Sequence, residues 1–167
     1  QPAAVEKPRF VRRRGGLAAA PWERLKARAR QAELTPSMVL CTVFAEVVAA
    51  WSKTARFTLN VTLFHRLPLH PEVDAVVGDF TSTVLLAVDA GGAASFGERA
   101  KRLQQQLWAD LEHRYVSGVQ VLRELARQAG SGPRLTMPVV FTSTLGREDG
   151  EGVAEWLVQR LFVITDD

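Results

Sequence analysis

FTLNVTLF, residues 57–64, places Phe57, Leu59, Val61 and Leu63 in strict alternation with Thr58, Asn60 and Thr62. Side chains on a strand point to opposite faces with a period of two. The stretch therefore predicts a strand with one apolar face and one face that is polar but uncharged. Such a face suits a cleft wall or a half-exposed sheet, and the pattern leaves both open. Downstream, residues 65–82 read as a long loop, HRLPLHPEVDAVVGDFTS, followed by a strand over Thr83–Val88 and a turn at Gly91-Gly92. A third strand is expected at Pro138–Ser143, then a polar loop over Gly146–Gly152 and a last strand, LFVIT, within Trp156–Thr165. Upstream, Phe10–Leu17 predicts a short strand that ends at Gly15-Gly16, and residues 1–9 an extended arm or linker.

Helices fill the intervals. Pro21 suits a first helical turn and opens a helix to about Glu33, with Trp22, Leu25 and Ala29 on one face. Thr35 and Pro36 form an N-cap and first position for a second helix. Its predicted buried stripe is Val39, Leu40, Val43, Phe44, Val47, Val48 and Trp51, with Cys41 in or near the core. Ser95 and Glu98 form a capping box for a long helix with Phe96, Leu103, Leu107 and Leu111 inward. Ser117 and Gln120 repeat the pattern for a helix closing at Gly130. Mixed helices and strands without a repeat predict one α/β unit over residues 1–167, a mixed sheet covered by helices in an α+β sandwich.

Composition removes several classes of function. With 21 basic and 18 acidic residues the net charge is +3, too small an excess to argue for nucleic acid. Arg12-Arg13-Arg14 reads as a solvated face rather than a phosphate site. The single cysteine allows no disulfide within the chain and fits a reducing, cytoplasmic compartment. No stretch has the ~18 apolar residues of a membrane span, and QPAAVEKPRF lacks a signal region. The chain also lacks an initiator Met and reads as a piece of a longer one. His65 and His70 stand in a loop with no Cys or acidic pattern to complete a metal set, so no metal is expected. There is no GxSxG elbow and no phosphate-cradling glycine loop.

Three strings remain: FTLNVTLFHRLPLHP (57–71), VVGDFTS (76–82) and PVVFTSTLG (138–146). Each sets hydroxyl or amide side chains at a strand or strand end. Asn60, Thr81 and Thr142 can orient polar groups in a cleft without adding charge, or can cap strands and satisfy backbone groups.

In this order the strings resemble the C-terminal part of heterocyclization domains, the variant condensation domains of nonribosomal peptide synthetases. EKPRFVRRRGGL (6–17), PWERLKARARQAELTPSMVLCTVFAEVVAAWS (21–52) and SFGERAKRLQQQLWADLEHRYVSGVQVLRELAR (95–127) match the family's remaining elements, so the resemblance covers nearly the whole chain. It implies half of a chloramphenicol-acetyltransferase-like pair of subdomains, with a substrate tunnel between the halves. It also implies a reaction: a carrier-bound acyl thioester is condensed with cysteine, serine or threonine. The side chain then attacks the new amide and water is lost, giving a thiazoline or oxazoline.

The implied partners are the N-terminal half, upstream and downstream carrier proteins and an adenylation domain. The domain binds no cofactor of its own, its substrates riding on the carriers' phosphopantetheine arms. By the same resemblance Thr142 matches a threonine that positions a catalytic aspartate, and Asn60 a polar position in the tunnel. Asp79, Thr81, Ser143 and His65 are motif or tunnel residues, Asp79 read as loop-setting before catalytic.

The family's DxxxxD signature belongs to the N-terminal half, and an HHxxxDG string there would mark an ordinary amide-forming condensation domain. The chain's end, FVITDD, follows the family only to Thr165. The catalytic aspartate is expected beyond it rather than at Asp166 or Asp167, so the chain alone is expected to be incomplete. Two other functions stay open: amide formation without cyclization, and a non-catalytic half that only docks carriers.

Overall fold

A computed structural model describes residues 11–64, 66–92, 94–129 and 137–145. In chain order the elements are α1 (Ala19–Gln31), α2 (Pro36–Trp51), β1 (Arg56–Phe64), β2 (Thr81–Asp89), α3 (Phe96–Glu112), α4 (Gly118–Ala129) and β3 (Val140–Phe141). A single 3-10 turn, Val73–Ala75, interrupts the loop between β1 and β2.

β1 is the central strand of a mixed sheet ordered β2-β1-β3. It runs antiparallel to β2, with Leu59 opposite Leu86 and Val61 opposite Val84, and parallel to β3, with Val61 opposite Phe141. Because side chains alternate, this register gathers Leu59, Val61, Val84, Leu86, Val88 and Phe141 on one face. There they meet Met38, Cys41 and Ala45 of α2 and Leu103 of α3 to form the core. Phe44 of α2 packs a ring against Phe141, centroids 5.7 Å apart. α1 lies behind, in a smaller cluster of Ala29, Leu34 and Ala100.

Local signals fix the helix ends as the sequence predicts. The Thr35 hydroxyl accepts from the Met38 N–H at 3.2 Å. Ser95 and Glu98 form a reciprocal capping box. Ser117 and Gln120 do the same for α4: the Gln120 N–H donates to Ser117 Oγ at 3.3 Å and the Ser117 N–H to Gln120 Oε1 at 2.8 Å. Between α1 and α2 the chain bends by 99°. Glu33 takes the left-handed conformation, φ 59°, while Leu34 N–H reaches Ala29 O and Glu33 N–H reaches Arg30 O. That is a Schellman ending with a glutamate where glycine is usual. Gln104, buried in α3, holds this turn from below: its Oε1 accepts from Thr35 N–H at 2.9 Å and its Nε2 donates to Glu33 O at 2.8 Å.

The structure corrects several expectations. Residues 11–17 form no strand, and Val11, Leu17 and the three arginines between them are exposed. Among the described residues the sheet is β2-β1-β3 and does not include this segment, and a strand is stable only in a ladder. α1 begins at Ala19 rather than Pro21. Proline fits there because the N–H groups of the first turn have no intrahelical partner. On α2 the buried row is Met38, Cys41, Thr42 and Ala45, while Val43, Val47 and Trp51 face outward. β2 begins at Thr81 and ends at Asp89, longer than the predicted Thr83–Val88, and only Val140 and Phe141 of the third strand join the ladder. Phe10, Gly130, the loop at 146–152 and the strand expected within 156–165 lie outside the described residues. No single described helix is long and apolar enough to cross a membrane.

Candidate functional site: the polar face of the sheet

The face of the sheet turned away from α2 and α3 carries Thr58, Asn60 and Thr62 from β1. Beside them stand Thr81, Thr83 and Leu85 from β2 and Val140 from β3, as the register requires. α4 covers the β2 side of this face. A Cβ at Gly118 would lie 2.8 Å from Thr83 Oγ1 and 3.2 Å from Thr83 O, so only glycine lets the start of α4 approach so closely. Beyond that contact Val119, Val121 and Leu125 of α4 are exposed.

Asn60 and Thr142 stand on this one face although they are far apart in the sequence. Asn60 pairs with Val140, and its N–H donates to Val139 O at 2.9 Å. The Thr142 hydroxyl donates to Thr62 Oγ1 at 2.8 Å, one β1 residue pair further along. Asn60 Oδ1 is buried and has no hydrogen-bond donor among the described residues. Leaving a buried acceptor unpaired costs about 1–3 kcal/mol, so such groups are rare unless function requires them.

The remaining candidates sit elsewhere. Ser143 follows Thr142 but turns to the opposite side. Its hydroxyl lies 2.8 Å from that of Ser37, which also donates to Leu145 O at 3.2 Å. Ser143 thereby ties the exit of β3 to the first turn of α2. Asp79 is exposed, and its Oδ1 accepts from Thr81 N–H at 2.8 Å in the turn that leads into β2. The Thr81 hydroxyl and then its backbone N–H hold the Asp79 carboxyl below its ordinary value, so it stays ionised. Thr81 itself opens β2, exposed, opposite Phe64. His65 lies outside the described residues. His70 is used locally, accepting from Glu72 N–H at 3.2 Å. Among the described residues no three His, Cys, Asp or Glu side chains gather as a metal set.

Sequence reasoning missed Arg66. Its guanidinium stacks 3.9 Å from the Phe80 ring centroid and donates to the carbonyls of Val73 and Val76, folding the loop back on itself. Its place directly after His65, inside the histidine- and proline-rich stretch 65–71, was the available signal. A further hollow, lined by Thr42, Glu46, Asp89, Arg99 and Arg102, lies among α2, α3 and the end of β2, away from Asn60 and Thr142. Arg99 Nε donates to Glu46 Oε1 at 2.8 Å and Arg56 Nε to Asp89 Oδ2 at 2.9 Å, so its charges serve packing.

Cys41 is buried at 1% exposure in the core, where desolvation pushes its thiol from 9.0 up to about 12. A thiol so held is no nucleophile at neutral pH. The raised value also sets a pH dependence. The stability it represents is present in full below pH 9.0, where the unfolded thiol too is protonated, and is lost as pH rises toward 12. Urea unfolding measured across that range should show a steeper loss of stability for the wild type than for Cys41→Ala. Parallel pH profiles would contradict the assignment.

The result is a mixed sheet with α2 and α3 on one face and, on the other, a neutral hydroxyl–amide row that α4 covers on the β2 side. The Condensation domain family model matches residues 9–155. The chain is 47% identical to pyochelin synthetase PchF of Pseudomonas aeruginosa over 138 residues, 83% of this chain and 8% of that one. It is 48% identical to phenyloxazoline synthase MbtB of Mycobacterium tuberculosis over 125 residues, 75% of this chain and 9% of that one. Among solved structures, it superposes on the EpoB cyclization-docking bidomain of Sorangium cellulosum with a TM-score of 0.76. The identity there is 40%, over 99% of this chain and 34% of that one. The chain belongs to the condensation-domain family of nonribosomal peptide synthetases. It spans under a tenth of the two synthetases named here.

Proposed function

We propose that the chain is the C-terminal half of a heterocyclization domain. In this role it helps to condense a carrier-bound acyl thioester with cysteine, serine or threonine and to cyclodehydrate the product to a thiazoline or oxazoline. The observation that carries this reading is Asn60 Oδ1, a buried acceptor without a donor among the described residues, on the same face as the Thr142–Thr62 pair. Cyclodehydration moves protons on and off one carbonyl-derived oxygen and one nitrogen. It needs neutral groups that hold a hydroxyl or N–H in place and a hydroxyl that steadies an acid. Asn60 supplies an acceptor for a substrate N–H or hydroxyl, and Thr142 supplies the positioned hydroxyl.

Both substrates arrive on phosphopantetheine arms of upstream and downstream carrier proteins, the acceptor loaded by an adenylation domain, in the cytoplasm. The N-terminal half closes the tunnel over the polar face and covers the apolar residues of α4, Val121 and Leu125 among them. The similarity to a phenyloxazoline synthase and to a cyclization-docking bidomain favours ring formation over amide formation alone.

The test is the mass of the carrier-bound product made by the whole synthetase from an acyl donor and a cysteinyl acceptor. A product lighter than the amide by one water is expected. Amide as the sole product would replace this reading with ordinary condensation.

A further inference from the structure

The Thr142 hydroxyl does not stand alone on the polar face. Its side chain is β-branched and so stiff about χ1, but the O–H itself turns freely unless a partner fixes it. That partner is Thr62, whose Oγ1 accepts from Thr142 at 2.8 Å across the β1–β3 ladder. Thr62 is fixed in turn. It lies mid-strand on β1, paired on its other side with Thr83, and Thr83 is closed over by Gly118. We propose that Thr62 is the positioning residue for Thr142 in cyclodehydration, an inference that rests on the function proposed above.

The pair has two proton arrangements. As found, Thr142 donates to Thr62 and turns its lone pairs outward to accept. With the arrangement reversed, Thr62 donates and the Thr142 proton points outward, free for a carboxylate or a substrate oxygen. In either state Thr142 keeps one partner and one fixed direction. A valine at position 62 keeps the shape and the strand preference but removes both arrangements.

The test compares wild type, Thr62→Val and Thr62→Ser in the whole synthetase, reading ring and open amide together by intact-protein mass spectrometry. The proposal expects the ring-to-amide ratio to fall about three- to tenfold in Thr62→Val, the loss of one hydrogen bond. Thr62→Ser should recover to within about twofold, since serine restores the hydroxyl and lacks only threonine's single methyl. A change in packing alone would lower ring and amide together and leave their ratio untouched. Equal ratios in wild type and Thr62→Val, or a serine variant as poor as the valine, would overturn the role of Thr62 alone. A wild type that makes amide without losing water would overturn the proposed function, and the role of Thr62 with it.

Discussion

Leu86→Ala lowers the stability of this fold by about 3–5 kcal/mol. Leu86 has 0% exposure and faces Leu59, also at 0%, across the β1–β2 ladder, under α2 and α3. Truncation removes the transfer free energy of the lost carbons and leaves a cavity. Here that cavity cannot collapse, because the strand on one side and two helices on the other are tied by their own hydrogen bonds. Domains of this size are stable by about 5–15 kcal/mol, so the variant loses a large share of its margin. Urea denaturation followed by circular dichroism checks this. The midpoint should fall sharply at unchanged slope, while Leu69→Ala, at an 81% exposed site, should shift by less than about 0.5 kcal/mol. A small effect at Leu86 would mean that the core is not centred on these two leucines.

Asn60→Leu moves stability and activity in opposite directions. The fold loses an unpaired buried acceptor and gains an apolar group of similar volume, which stabilises by about 1 kcal/mol. Ring formation should fall by a factor on the order of 100, as for removal of one well-placed polar group in an active site. The two effects are read separately, by unfolding midpoint and by product mass. A variant that is both less stable and fully active would show Asn60 to be an ordinary structural amide. Residues that destabilise the fold they sit in are the expected mark of a site kept for chemistry.

Much of the fold is legible in the sequence where the signal is local. Thr35, Ser95 with Glu98, and Ser117 with Gln120 announce helix starts because a cap acts within one turn. The alternation of 57–64 announces β1 because its two faces meet different surroundings. The buried face of α2 was not legible. The helix PSMVLCTVFAEVVAAW is apolar almost all round, so periodicity offers two stripes and packing alone turns Cys41 and Ala45 inward. The expected strand does not form over residues 11–17 for a related reason, since a local pattern cannot supply a pairing partner. The site divides the same way. The strings around Asn60 and Thr142 stand out in the sequence, and their resemblance to one family gave each a role. Their adjacency depends on β1 pairing with β3, a strand that is not its neighbour in the sequence, and so does the bond to Thr62, across 80 residues. No local rule contains that.

The account's central claim is that the hydroxyl–amide face carries the water-losing step. The direct measurement supplies the whole synthetase with carrier-bound open amide, made in advance from acyl donor and cysteine, so that condensation is bypassed, and follows loss of water over time. The wild type should convert the amide to the ring, and Thr142→Ala should do so slower by a factor on the order of 100. Thr142→Ala cyclising at the wild-type rate would contradict the account and move the chemistry off this face.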